Sequence, residues 1–266
     1  MVNKVLLTGD THGEFSRFQN YDRELQKDPY AAVIILGDAG LNWTLDENDS
    51  HVKNMLSKNY QFHIYCVRGN HEARPEDVPS MHLVYDDDVG GDVWVQDKWP
   101  NICYFKDAGI YHINGWKVGV IGGAYSVDKW YRLDRGMRWF ANEQLTNTEQ
   151  IEALQLFKGE CVDFMFTHTC PISWEPTDLF LRGINQSKVD KTMELFLEKV
   201  KDVVDFKVWC FGHYHRDRIE RPRVEQFFKD TEDIYDIWHR WEVYFATGNL
   251  DWWLDKSPNF YMEVAK

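Results

Sequence analysis

The sequence predicts an α/β protein built on a layered sheet. Short apolar runs rich in β-branched and aromatic residues recur along the chain, each the length of a buried strand. These runs end in polar turns that contain glycine. Between them lie polar stretches with apolar residues at helical spacing, so strands and helices alternate.

The first run, Val5-Leu6-Leu7, leads into Thr8-Gly9-Asp10-Thr11-His12-Gly13. Residues 14–25 follow, polar but carrying Phe15, Phe18, Tyr21 and Leu25 as a helical stripe. A run at 32–36 leads into Gly37-Asp38, and one at 63–67 leads into Arg68-Gly69-Asn70-His71-Glu72. Residues 81–114 break the pattern. Asp86-Asp87-Asp88, Gly90-Gly91 and short pieces at 93–95 and 102–105 predict hairpins and loops there. An apolar run at 118–121 precedes Gly122-Gly123, and a helix is expected over 147–157. Residues 163–166 lead into Thr167-His168. Ser187 is placed to cap a helix in which Val189, Met193, Phe196 and Val200 fall at helical spacing through Lys201. The run at 207–211 leads into Gly212-His213-Tyr214-His215. Residues 243–245, followed by Gly248-Asn249, predict a closing strand and turn.

No repeat, low-complexity tract or Pro/Gly/Ser linker divides the 266 residues. One domain over 1–266 is expected, with cap insertions near 81–114, 125–146 and 170–186. A formal net charge of −13 argues against generalised binding to nucleic acid or an anionic membrane, since the whole surface repels a polyanion. A small anion remains compatible where local cations or metals reverse the field. The five cysteines form no close pair in sequence, so buried reduced thiols are expected rather than disulfides or a zinc knuckle. No signal peptide, membrane span or lipidation motif is visible, which makes the cytoplasm the expected location.

The polar residues that follow the runs carry the chemistry. Asp10, His12, Asp38, Asn70, His168, His213 and His215 are imidazole, carboxylate and amide donors suited to Mn, Fe, Zn or Co. In open α/β sheets ligands bind beyond the carboxyl ends of strands, so separate turns can meet at one edge. In extended backbone, residues two apart project to the same side, which lets Asp10 and His12, and likewise His213 and His215, address one point. A lone histidine such as His63 or His112 is a structural or surface residue on the same reasoning. An ordered set of donors in successive turns is not explained that way.

Gly9-Asp10-Thr11-His12-Gly13, Gly37-Asp38, Gly69-Asn70-His71-Glu72, His168 and Gly212-His213-Tyr214-His215 together resemble the calcineurin-like metallophosphoesterase superfamily. The resemblance spans most of the chain. It implies two mixed β-sheets packed face to face and flanked by helices, a four-layer sandwich with two divalent metals at one edge. It assigns Asp10, His12 and His215 to one metal, Asn70, His168 and His213 to the other, and Asp38 to a bridge between them. Mn is the first expectation, ahead of Fe, Zn, Co or Ni. Metals ~3.5–4 Å apart can clamp the attacking and departing oxygens of a displacement, with a water acidified between them as nucleophile. His71 is expected to face the substrate and to protonate the leaving group or stabilise phosphoryl charge. Glu72 is expected to support the turn.

Substrate choice is less legible. Val67-Arg68-Gly69-Asn70-His71-Glu72 is similar to the matching block of phosphoprotein phosphatases, which carry an Asp-Arg-Gly shortly after their Gly-Asp. Here the chain reads Gly37-Asp38-Ala39-Gly40-Leu41-Asn42-Trp43, without that phosphate-gripping arginine. The block at 122–132 is similar to one in small bacterial and phage metallophosphoesterases. It offers Lys129, Arg132 and Arg135 as phosphate contacts, with Arg74 as a further candidate. The expected substrate is a small or nucleotide-like phosphate ester. The alternatives are a nuclease acting on nucleic-acid ends and a non-catalytic scaffold that keeps the fold.

Overall fold

A computed structural model describes residues 2–250 and 261–262. The first of two mixed sheets contains β1 (Lys4–Thr8), β2 (Ala31–Ile35), β3 (His63–Cys66), β4 (His82–Asp86), β5 (Gly91–Val95) and β6 (Ile102–Phe105). The second contains β7 (Ala108–Ile113), β8 (Trp116–Ile121), β9 (Cys161–Thr167), β10 (Asp205–Phe211), β11 (Arg218–Arg221) and β12 (Val224–Gln226). β13 (Thr231–Asp233) and β14 (Tyr261–Met262) close the edges, giving orders β13-β1-β2-β3-β6-β5-β4 and β14-β11-β12-β10-β9-β8-β7. β1, β2, β3 and β6 run parallel, as do β8, β9, β10 and β12. The helices are α1 (Arg23–Gln26), α2 (Glu47–Asn59), α3 (Lys129–Asp134), α4 (Asn147–Phe157), α5 (Thr192–Val203) and α6 (Ile234–Thr247).

β2 shows why four layers form. Every one of its residues is buried. Ala32 and Ile34 join an inter-sheet core with Val5, Leu7, Val118, Phe164 and Val208. Ala31, Val33 and Ile35 pack the other way, against Phe18 and Leu56 of the outer layer. A strand covered on both faces must be apolar throughout, because its side chains alternate between them. The outer face of the second sheet is covered by α4 and α5 through Phe157, Met193, Phe196 and Val200. The expected two-sheet sandwich with flanking helices is the fold.

Several local expectations are corrected. Residues 14–25 are not one helix but a 3-10 turn, Ser16–Asn20, followed by the short α1. Tyr21 is extended between them and Asp22 restarts the helix by accepting from Leu25 N at 2.8 Å. Arg17 is drawn away to brace the first site turn, donating to Gly9 O, Asp10 O and Phe228 O. α5 begins at Thr192 rather than after Ser187, because Asn185 caps a separate 3-10 turn and Asp190 accepts from Thr192 N. Residues 243–245 lie in α6, which ends at Gly248 in the left-handed conformation, φ 69°. Their aromatic and β-branched content suggested a strand. The face formed by Ile234, Ile237 and Trp241 packs into the inter-sheet core and decides for helix. Residues 81–114 supply β4 to β7, so they extend both sheets instead of capping a cleft.

The helix at 147–157 forms as expected. Thr146 accepts from Glu149 N at 3.3 Å while Glu149 accepts from Thr146 N at 2.7 Å, a reciprocal cap of about 1 kcal/mol. Cys66, Cys103, Cys170 and Cys210 are buried free thiols, and Cys161 is free but exposed. Among the described residues no helix is long and apolar enough to cross a membrane.

Candidate metal centre

Asp10, Asp38 and Asn70 follow β1, β2 and β3 of the first sheet, while His168 and His213 follow β9 and β10 of the second. Because the strands within each set are parallel and the sheets are stacked, the turns gather at one rim. The backbone there is not extended, contrary to the geometry expected for the paired donors. His12 (φ 48°), Asp38 (φ 48°), His213 (φ 71°) and His215 (φ 55°) are all left-handed. Each such non-glycine residue costs roughly 1 kcal/mol, and the strain collects where side chains must be aimed inward. Backbone N–H groups hold it: His12 N donates to the Asp38 carbonyl at 2.8 Å and His213 N to the Asp10 side chain, Oδ1, at 3.0 Å. Gly37, φ 98°, lies so close to the His168 ring that a Cβ would overlap Nδ1.

Three overlapping sets of donors result, each with its atoms within 4.8 Å of one another: Asp10, His12 and His215; His12, Asp38 and His71; Asp10, Asp38 and His168. Nε2 of His12 and Nε2 of His215 are 2.9 Å apart. Oδ2 of Asp10 is buried with no hydrogen-bond donor aligned on it, and His215 Nε2 stands 3.2 Å away. Buried carboxylates with an orphaned oxygen, facing imidazole nitrogens, suit a divalent cation better than they suit one another. Asp38 belongs to two of the sets, as do Asp10 and His12.

The charges agree with that fit. Burial opposes ionisation of Asp38, but the imidazoles of His168 and His71 outweigh it and hold the carboxyl well below its usual range. Burial likewise disfavours charge on His168, yet Asp38, Asp10 and the Leu36 carbonyl raise it to about 9. His213 is pushed down to about 3, first by burial and then by His168. The two carboxylates thus draw positive charge to this point.

Supporting bonds orient the donors. His168 Nδ1 lies 2.9 Å from Leu36 O, and a proton there leaves Nε2 free, 2.9 Å from Asn70 Oδ1 and 3.5 Å from Asp38 Oδ1. Asn70 Nδ2 donates to Ser126 Oγ at 2.9 Å, and Ser126 donates to Glu143 Oε2 at 2.5 Å. Trp139 Nε1 and Ser126 N also bond Glu143. The buried run from Asn70 through Ser126 to Glu143 turns the Asn70 carbonyl oxygen toward the centre. Ser126 and Glu143 lie in the Gly122-Gly123 block and the aromatic stretch after it. Neither residue type marks itself in the sequence; only their contact with Asn70 and each other identifies them. Glu72 supports its turn as expected, accepting from Gly69 N and Tyr104 Oη.

Two expected roles come out differently in place. His213 stands edge-on to His168, ring centroids 4.9 Å apart, and enters none of the three donor sets. His71, expected to face substrate only, lies within donor reach of His12 and Asp38. Its ring is stacked on Trp43, 5.7 Å between centroids, and touches the Arg132 guanidinium, whose Nη2 is 2.7 Å from Nδ1. Burial, partly offset by Asp38, lowers the His71 pKa, and Arg132 lowers it further.

Of the four cations expected at the substrate, only Arg132 reaches the site. It is 1% exposed, bonded to Asp128 Oδ2 at 2.8 Å and over the Trp43 ring, with Nη1 buried and unpartnered. Arg74 is buried elsewhere, held by Glu149, Asn142 O and Gln144 O, so its donors are already committed. Lys129 sits 3.9 Å over the Trp139 ring, and Arg135 stacks on Tyr131 at the surface. The short, aromatic-rich helix α3 points these two away from the turns while turning Arg132 inward.

No curated protein matches the chain. Residues 3–217, which contain every one of these donors, match the family model of the calcineurin-like phosphoesterases. With the match covering most of its length, the chain belongs to the calcineurin-like phosphoesterase family.

Proposed function

We propose that the protein hydrolyses small phosphate esters with two divalent cations held at this rim, Mn foremost. The observation that carries the reading is the sharing of Asp10, His12 and Asp38 among three donor sets, because shared donors suit two neighbouring cations and not one. Asp10, His12 and His215 would hold one cation; His168 and Asn70, with His213 after a small ring movement, would hold the other; Asp38 would serve both. When bound, the cations supply Lewis-acid activation of water and of the phosphoryl oxygens.

The remaining work belongs to side chains. His71, neutral by its lowered pKa when free, gains a proton more readily as phosphoryl charge enters the cleft, and can pass it to the departing oxygen. The unpartnered Nη1 of Arg132, beside His71, would donate a hydrogen bond to a phosphoryl oxygen once a side-chain shift exposes it, the role left open by the missing arginine after Asp38. Trp43 holds both groups by stacking. Free buried thiols are compatible with the reducing cytoplasm as its location.

The test is a panel of nitrophenyl monoester and diester, cyclic nucleotides, phosphopeptide and single-stranded DNA, assayed with Mn. Turnover of small esters is expected, lost on chelation and restored by Mn. Absence of turnover across the panel with metal bound would instead favour a scaffold. Preference for the DNA would favour a nuclease.

Two variants probe the supporting residues. Ser126→Ala frees the Asn70 amide to rotate and should weaken Mn binding by ~10–100-fold, as loss of a bond that orients a ligand does. Calorimetric titration of the metal-free protein measures it. Arg132→Lys keeps the charge but loses the planar fork and the stacking on Trp43, so kcat/KM should fall by about tenfold or more.

A further inference from the structure

The cleft that opens on the metal centre continues past it. Asp38, Asn70, His71, His213 and His215 form one side, and the segment after β9 with the start of α5 forms the other. Its volume is about 210 Å3. The far wall is apolar, made by Leu179, Phe180, Ile184 and Val189. Leu181 beside them is 61% exposed and Ile184 is also exposed, so this stretch leaves apolar side chains outside the core.

The wall is fixed in place. Asp178 receives two bonds from Arg218, at 2.8 and 3.0 Å, and Glu175 binds Lys191 at 2.5 Å. Tyr214, the residue between the two histidines of the last site turn, bonds Thr169 Oγ1 at 3.1 Å and reaches Glu175 at 3.4 Å. Residues adjoining the candidate metal ligands thus build the wall of the extension.

Glu194 of α5 lines its floor and is 4% exposed. Oε1 accepts from Thr169 at 2.9 Å, while Oε2 is buried with no partner among the described residues. Lys191 is already committed to Glu175. Oε2 is thus an open acceptor for an incoming donor. Burial pushes the free Glu194 carboxyl up to about 7, and a cationic N–H donor beside it would favour the ionised form.

We propose that this extension is a leaving-group subsite, selecting phosphate esters whose alcohol carries an apolar body tipped by an N–H donor that bonds Glu194. The inference rests on the phosphoesterase reading of the adjoining centre. An apolar body displaces water from Phe180, Ile184 and Val189, and the donor satisfies an oxygen that an all-carbon tip would leave buried and unpaired. Glu175, Asp190 and Glu194 oppose a polyanionic strand in the same space.

Two phosphonates that cannot be hydrolysed provide the test: 4-(aminomethyl)benzylphosphonate, with the donor, and 4-ethylbenzylphosphonate, its near-isostere without one. Calorimetry on the Mn-loaded protein should show the first binding about tenfold tighter or more, the strength of one hydrogen bond to a charged group. Glu194→Gln should reduce that ratio to near one. Phe180→Ala should weaken both probes together and leave the ratio intact. Equal affinity of the two probes for the wild-type protein overturns the subsite, whichever variants fold. If the aminomethyl probe binds preferentially but the matching phosphate esters are not hydrolysed, the subsite stands and the phosphoesterase reading falls.

Discussion

Asp38→Asn should lower turnover at least about a hundredfold while the protein stays folded. The carboxylate is shared by two donor sets and accepts from His71 N at 2.7 Å through Oδ1. An asparagine can keep one of those contacts with its carbonyl oxygen. It cannot present two anionic oxygens, and its amide hydrogens would face the imidazoles or the cations. The charge that raises His168 to about 9 would also be lost, so the buried centre would hold positive charge less well. Steady-state kinetics with Mn, alongside the thermal midpoint of the metal-free variant, separates chemistry from folding. Near-wild-type turnover would falsify the shared-carboxylate mechanism.

Gly37→Ala should destabilise by ~3 kcal/mol or more and abolish activity with it. Its φ of 98° lies outside what an L-residue adopts without strain, and the added Cβ would overlap Nδ1 of His168. That ring has nowhere to go. His168 is 0% exposed, with Nδ1 on Leu36 O and Nε2 on Asn70. Gly136→Ala is the internal reference, because Gly136 has φ 65° but open space around its Cβ direction. It should cost only about 1 kcal/mol, the left-handed penalty alone. Denaturant unfolding of both variants reads the difference, and equal losses would mean that the approach to His168 is not what requires the glycine.

The parts of the fold that the sequence makes legible are those in which local pattern and tertiary environment agree. The apolar runs at 32–36 and 208–211 became central strands because a stretch buried on both faces offers only apolar side chains. The helix at 147–157 carried its own cap. α2 escaped because its buried side includes Asp49 and Lys53, and Lys53 is satisfied by Asn42 and Gln96, far away in sequence. α6 escaped because its aromatics suit either a strand or a helix, and only contact with the inter-sheet core distinguishes them.

By itself the sequence singled out the candidate donors. Asp10, His12, Asp38, Asn70, His168, His213 and His215 stood out because each follows an apolar run, and parallel strands bring such turns to one rim. The aim of each side chain was a tertiary matter. Left-handed turns, not extended alternation, point His12 and His215 at the same spot, and His71 is held between Trp43 and Arg132. Among four candidate cations, two are buried, and location separates them: Arg74 is spent on Glu149 and backbone carbonyls, whereas Arg132 lies against His71 and Trp43, where Asp128 and ring contacts replace its hydration. Charge and spacing are written in sequence, whereas direction and desolvation exist only once the two sheets have closed on each other.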